Sequence, residues 1–206
     1  MSSRTYNPEK AKELLDAAGW IMGSDGYRHK DGKLFEITIY FNSNNAQERT
    51  ISEYMQSDMK AVGVSLKIVG EEKQAFLDRQ KTGEFDLQYS LSWGTPYDPQ
   101  SYLSSWRIPA HGDYQAQKGI AKKAWLDETI GKILVEHDKE KRQKMYDEVL
   151  TRQKMYDEVL TYVHDESIYL PLTYSRTKAV HVANLKGVAF NPSQYEIPFE
   201  KMYFEN

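Results

Sequence analysis

Five histidines, His29, His111, His137, His164 and His181, are the first candidates for metal chemistry, and they lie far apart along the chain. No two stand at the close spacing that brings a pair of imidazoles to one ion. A metal site built wholly from protein ligands is therefore not expected. His29 falls in a polar turn, His137 near a predicted helix end, and His164 beside Asp165 at another, all places where an imidazole is ordinarily solvated or capping. His111 differs, because "PAHGDY" holds it in a loop beside a glycine and between aromatics. Residue type alone leaves two readings open there, a ligand-binding imidazole and a solvated loop residue. Upstream, Trp93 and Tyr97 bracket "GTP". Such aromatics wall a small-molecule pocket or, equally well, Trp93 ends its strand by packing under the loop.

Catalytic chemistry finds no footing. There is no G-x-S-x-G elbow, no phosphate-cradling glycine loop, no G-x-G-x-x-G and no H-E-x-x-H. The adjacent carboxylates Glu71–Glu72 and Asp127–Glu128 sit at predicted helix starts, where negative charge is favoured by the macrodipole, so capping is expected of them. No catalytic residue is assigned, and an enzyme is not expected.

Composition narrows the partners. A formal charge of -3 over 206 residues, with lysine and arginine interspersed among acids, offers no basic surface for nucleic acid. No apolar run reaches the roughly 18 residues of a membrane span, and "MSSRTYNPEK" lacks the charged-then-apolar pattern of a signal peptide. The absence of cysteine excludes disulfides and thiolate chemistry.

The elements that must carry these residues alternate. "YNPEKAKELLDAAGW" predicts an amphipathic helix with Asn7 as N-cap, Pro8 at the first position, Ala11, Leu14, Leu15 and Ala18 at helical spacing, and Gly19 as its stop. Two Asp-Gly turns follow, in a hairpin feeding a strand in which Phe35, Ile37, Ile39 and Phe41 alternate with polar neighbours. Next come a helix at 45–61 through Ile51, Met55 and Met59, a strand at 64–69, a helix at 71–81 and a strand at 85–93. Strand and helix in alternation describe an α/β fold with a mostly parallel or mixed sheet flanked by helices. Ligands of such sheets bind beyond the carboxyl ends of the strands. That directs attention to "WGTPYDPQSYLSSWRIPAHGDY", expected as a shaped loop rather than a regular element. Helices at 121–136 and 138–165 follow, then an edge or irregular strand around Pro171 and a tail with turns and isolated aromatics.

These residues carry a resemblance. "YNPEKAKELLDAAGW" resembles a segment common to the dipeptide, oligopeptide and nickel solute-binding proteins of bacterial ABC importers. "GEEKQAFLDRQKTGEFD", "WGTPYDPQSYLSSWRIPAHGDYQAQKG", "HDESIYLPLTYS" and "EIPFE" look more specifically like the nickel-binding member of that family. The resemblance covers almost the whole chain from Tyr6. It implies a type II periplasmic-binding-protein-like lobe from a two-lobed clamp that closes about a hinge. Residues 1–175 would be the C-terminal lobe, incomplete on its N-terminal side, and 176–206 a tail that packs back towards the missing N-terminal lobe. It further implies that His111 ligates Ni(II) directly while Trp93 and Tyr97 contact a small organic chelator, such as histidine, supplying the other donors. Imidazole suits nickel, and a chelated ion needs few protein ligands. Capture would fall on acidification, since a protonated imidazole cannot ligate. The implied partners are the nickel chelate, the missing lobe and a membrane permease, and the implied location is periplasmic or cell-surface. With half the clamp absent, binding by this chain alone is expected to be weak or undetectable. Tyr195, before "EIPFE", stands where a smaller polar residue can line the family's site, which leaves chelator preference open. The alternatives are a peptide-binding member of the same family, against which His111 after "WGTPYDP" counts, and a self-associating fragment without ligand function.

One phrase departs from that pattern. "RQKMYDEVLT" occurs twice in succession, Arg142 to Thr161. Removing one copy leaves "DKEKRQKMYDEVLTYVHDESIYLP", which follows the family pattern, so one copy is surplus. Ten residues turn a helix through about 1000°, about 80° short of three turns, so both copies cannot present the same face. An extended helix with its adjustment near 137–144 is expected, because the repeat contains no glycine or proline to turn a loop.

Overall fold

The computed structural model describes residues 5–90, 100–135, 156–172, 181–189 and 198–205. Trp93, Tyr97, His137, Tyr195 and most of the repeat lie outside them. Two compact units divide the chain: Met1–Leu91 with Ser105–Lys123, and Ser92–Ser104 with Ala124–Asn206.

The first unit opens with α1 (Pro8–Ala17), whose start is as expected: the Asn7 side-chain oxygen accepts from the Lys10 amide at 2.9 Å, and Pro8 costs nothing at a position whose N–H has no helical partner. Gly19, at φ +84°, ends it. The expected apolar stripe is only half used. Ala11 and Leu15 are half-buried, whereas Leu14 is 59% exposed and α1 buries no residue fully. Polar links hold the helix instead. Buried Arg28 donates to Asp16 and to the Trp20 carbonyl, Lys30 donates to the Ala18 carbonyl at 2.9 Å, and Trp20 stacks on Phe35.

Where one hairpin was expected, three short strands form an antiparallel meander: β1 (Ile21–Met22), β2 (Arg28–Lys30) and β3 (Lys33–Leu34). Asp31 and Gly32 both take positive φ between paired Lys30 and Lys33, the twist-compatible turn that Asp-Gly favours.

The parallel sheet follows. β4 (Glu36–Asn42) pairs with β5 (Ser65–Glu71) along its whole length, from Glu36 opposite Ser65 to Asn42 opposite Glu71. Between them α2 (Ala46–Ala61) is capped by Asn45, which accepts from the Gln47 and Glu48 amides, while Glu48 reaches back to the Asn42 amide. Ile51, Met55 and Met59 are half-buried on α2, which packs on β5 over Leu66. After α3 (Lys73–Thr82), β6 (Leu87–Gln88) joins the other side of β4, giving the order β5-β4-β6 with every pairing parallel. β6 is shorter than the predicted 85–93. At its start the Asp86 carboxylate, not a ladder carbonyl, accepts the Thr38 amide at 2.9 Å. Ile39, Phe41, Val64, Leu66 and Phe76 make the buried core around this sheet.

Two short helices, α4 (Gln100–Ser105) and α5 (Gly112–Gln117), replace much of the segment expected as a loop. In the second unit, α6 (Lys123–Val135) buries Leu126 and Ile130, and the helical residues 156–165, here α7, bury Val159 and Val163. Trp125 meets Tyr162 edge to face at 5.5 Å, joining the two helices. The described part of the second repeat copy is thus helical, with Val159 inward and Leu160 exposed. Asp127 and Glu128 lie inside α6 rather than at its start, and Glu128 pairs with Lys132 one turn on. Residues 168–172 are irregular, as Pro171 suggests. The tail contains an unforeseen ribbon, β7 (Leu185–Lys186) antiparallel to β8 (Tyr203–Phe204). Gly187, at φ +73°, lies against the Lys201 carbonyl, so no side chain fits there.

Candidate functional site

In the order β5-β4-β6 the strand order reverses at β4, since the chain runs from β4 to β5 on one side and then crosses to β6 on the other. Ligand crevices of open parallel sheets form at such a point, beyond the carboxyl ends. Tyr89 and Ser90 continue from the carboxyl end of β6, directly before the residues that carry Trp93 and Tyr97.

Tyr89, Glu71, Arg79 and Gln80 organise this edge. Tyr89 gives its hydroxyl to the Glu48 carbonyl at 2.9 Å and lies 2.8 Å from the buried Ser52 hydroxyl, and burial raises its phenol above the ordinary tyrosine range. Glu71, at the end of β5, receives a bidentate pair of bonds from Arg79 of α3, whose guanidinium also stacks 4.0 Å over the Tyr40 ring. Glu71 is therefore an anchor for α3 and not its cap. The capping expected of the pair falls to Glu72 alone, which accepts the Gln74 amide at 2.8 Å. Gln80, one residue beyond Arg79, donates to the Tyr89 carbonyl at 3.4 Å.

The Gln80 stem also backs the loop of His111: a Cβ added to Gly112 would touch its Cγ at 3.4 Å. His111 is thereby the residue next to a contact that reaches the carboxyl end of β6. It is the N-cap of α5, extended at φ -101° and ψ 142°, and its side chain makes no cap hydrogen bond. The imidazole is half-buried and has no hydrogen-bond partner among the described residues. Its backbone, by contrast, is pinned. The His111 amide donates to the Ile108 carbonyl at 2.9 Å, and its carbonyl accepts from the Gln115 amide at 3.2 Å. The Gln115 side chain donates to Pro109 and, across to α3, to Lys81. Behind His111, buried Asp113 accepts from buried Ser105 at 3.3 Å, and the Lys123 ammonium sits 4.3 Å over the Tyr114 ring.

A fixed backbone carrying an imidazole without a partner among the described residues can coordinate a soft-to-borderline metal ion or accept a proton from a ligand. Among the described residues no three His, Asp or Glu side chains gather as a metal cage. The other described histidines have local tasks: His29 lies 3.0 Å from Asp25, His164 lies 3.2 Å from Asp165, and the His181 ring lies 3.0 Å from the Val182 carbonyl. Trp93 and Tyr97 fall outside the described residues. Sequence reasoning passed over Gln80 and Gln115. Gln115 stands four residues after His111, a spacing that places it one helical turn away, whereas nothing local marks Gln80.

Comparison with known proteins gives a consistent likeness. The profile of the bacterial extracellular solute-binding proteins, family 5 Middle, matches residues 2–114. The chain is 38% identical over 199 residues to the nickel-binding periplasmic protein of Escherichia coli K12, covering 96% of this chain and 36% of that protein. The crystal structure of NikA from Brucella suis in complex with Fe(III)-EDTA superimposes with a TM-score of 0.87 at 38% identity, over 97% of this chain and 38% of that one. NikZ from Campylobacter jejuni, in complex with Ni(L-His), matches with a TM-score of 0.60 at 23% identity over 79% of this chain and 31% of that one, a likeness of fold alone. The chain thus spans a little over a third of the length of the Escherichia coli and Brucella suis relatives.

Proposed function

The chain belongs to the bacterial extracellular solute-binding proteins of family 5, and from that premise we propose that it contributes the metal-facing residue of a nickel-chelate receptor serving an ABC importer. Its α/β architecture is that of a type II periplasmic-binding-protein lobe. Members of this family bind solutes and are not enzymes. The observation that carries the reading is His111: a half-buried imidazole without a partner among the described residues, on a backbone held beside the switch point of the parallel sheet. An imidazole nitrogen is a good donor for Ni(II), and one such donor suffices when a small chelator, such as free histidine, fills the other positions. Trp93 and Tyr97 are assigned to the chelator on the strength of the family resemblance. The relatives that support this reading are periplasmic, and among the described residues no helix is long and apolar enough to cross a membrane.

The test is calorimetric titration of this chain with nickel in the presence of free histidine, run beside His111→Ala. Weak saturable heat that disappears in the variant is the expected result. Equal heats from the two proteins remove His111 from the site, and heat from a dipeptide but not from nickel transfers the chain to the peptide-binding branch.

A second reading concerns the tail. Residues 1–175 are taken as the lobe and 176–206 as a tail whose contacts lie on the N-terminal lobe of the longer protein. Phe199, Tyr203 and Phe204 are each at least 60% exposed on and beside the terminal ribbon. In the chain by itself, these exposed aromatic side chains favour self-association.

A further inference from the structure

We infer that Gln115 is a positioning residue for His111, an inference that rests on the nickel-chelate reading and adds to it a residue that does not touch the ligand. Its carboxamide nitrogen carries two hydrogens, and each has an acceptor. One goes to the Pro109 carbonyl at 2.6 Å, two residues before His111, and the other to the Lys81 carbonyl at 3.2 Å in the last turn of α3. The last carbonyls of a helix have no partner inside it, so Gln115 satisfies one of these orphans from a different helix. The close fit is visible at Gly83, the left-handed cap of α3 at φ +75°. A Cβ there would meet the Gln115 side-chain oxygen at 2.6 Å and its Cβ at 3.1 Å.

One side chain thereby joins the end of α3 to the loop that presents His111. The backbone bonds that pin His111 are short-range: His111 amide to Ile108 carbonyl, and Gln115 amide to His111 carbonyl. These fix its local shape but not its place on the sheet. α3 is itself fastened to β5 and β4 through Arg79 on Glu71 and Tyr40, so Gln115, together with the Gln80 stem behind Gly112, refers the position of His111 to the sheet. Holding a ligating group in place before binding removes part of the ordering cost of capture.

The experiment uses the full chain with Gln115→Met, which keeps side-chain length and removes both donors, and Gln115→Lys, whose ammonium restores N–H donors to the same carbonyls. Gln115→Met is expected to weaken nickel–histidine binding about 2- to 10-fold and to speed hydrogen exchange at the His111 amide about 5- to 10-fold. Gln115→Lys should recover part of both. Leu66→Val, a core change in the same unit, serves as a stability control. It should lower the melting temperature without moving either readout. Unchanged exchange and unchanged affinity in Gln115→Met, with binding still lost in His111→Ala, overturn the positioning role alone. Should Gln115→Met fail to fold, recovery of exchange and affinity by Gln115→Lys decides, and its failure to restore either overturns the role. Binding that survives in His111→Ala overturns the nickel reading itself, whatever Gln115 does.

Discussion

Val149 and Val159 occupy the same place in two copies of one decapeptide, so replacing each with alanine compares two environments at nearly constant local sequence. Val159 is fully buried on α7, with Val163 one turn on, and Trp125 of α6 packs on Tyr162 between them. Removing two methyl groups there loses about 1.6 kcal/mol of transfer energy at about 0.8 per group, and the partly unfilled space raises the cost to about 2–2.5 kcal/mol. Alanine returns about 0.5 kcal/mol through its higher helix propensity, equally at both sites. Val159→Ala is therefore expected to destabilise the protein by about 1.5–2 kcal/mol, seen as a fall in melting temperature of about 3–8 °C. An unbroken helix cannot aim both valines at one core, because ten residues leave them about 80° apart around its axis. Val149→Ala is accordingly expected to be neutral or to stabilise by up to about 0.5 kcal/mol. Thermal melts by circular dichroism, with urea titrations for free energies, read the difference. Equal losses at the two sites, or a larger one at Val149, refute the assignment of the second copy to the core.

Tyr89 supplies a pH signature. Its phenol is held above the ordinary value near 10.0 by burial, so the folded chain keeps a proton that the unfolded chain gives up. Its contribution is complete below the unfolded value and declines as pH rises through the folded one. Urea titrations from neutral pH to pH ~11 should show a loss that is shallower in Tyr89→Phe, and parallel curves for the two proteins would contradict this. For the tail, Phe199→Ser with Phe204→Ser is expected to reduce concentration-dependent association in sedimentation velocity, and a concentration-independent monomer before substitution would refute self-association.

Much of the first unit was legible because its signals are local. Asn7–Pro8, the Asp-Gly turns and the period-two apolar run from Phe35 to Phe41 each specify their own backbone through capping, turn chemistry and pleat. The alternation of strand and helix was enough for a parallel sheet, and the motif around His111 was enough to single that histidine out. Other features escaped for a common reason. Leu14 has the spacing of a core residue yet stays exposed, because α1 is held by Arg28 and Lys30 from the meander rather than by its apolar stripe. Glu71 and Glu72 look alike in sequence but serve an anchor and a cap, a division made by Arg79 eight residues on. By itself, then, the sequence determined the alternating helices and strands up to β6, where several of them begin and stop, and which imidazole is worth testing. Only the tertiary structure decided that β6 lies across β4 from β5, that Gln80 and Gln115 connect α3 to the loop of His111, and that Val159 rather than Leu160 fills the core. Each of those outcomes depends on groups distant in sequence meeting in space, which propensity and periodicity do not encode.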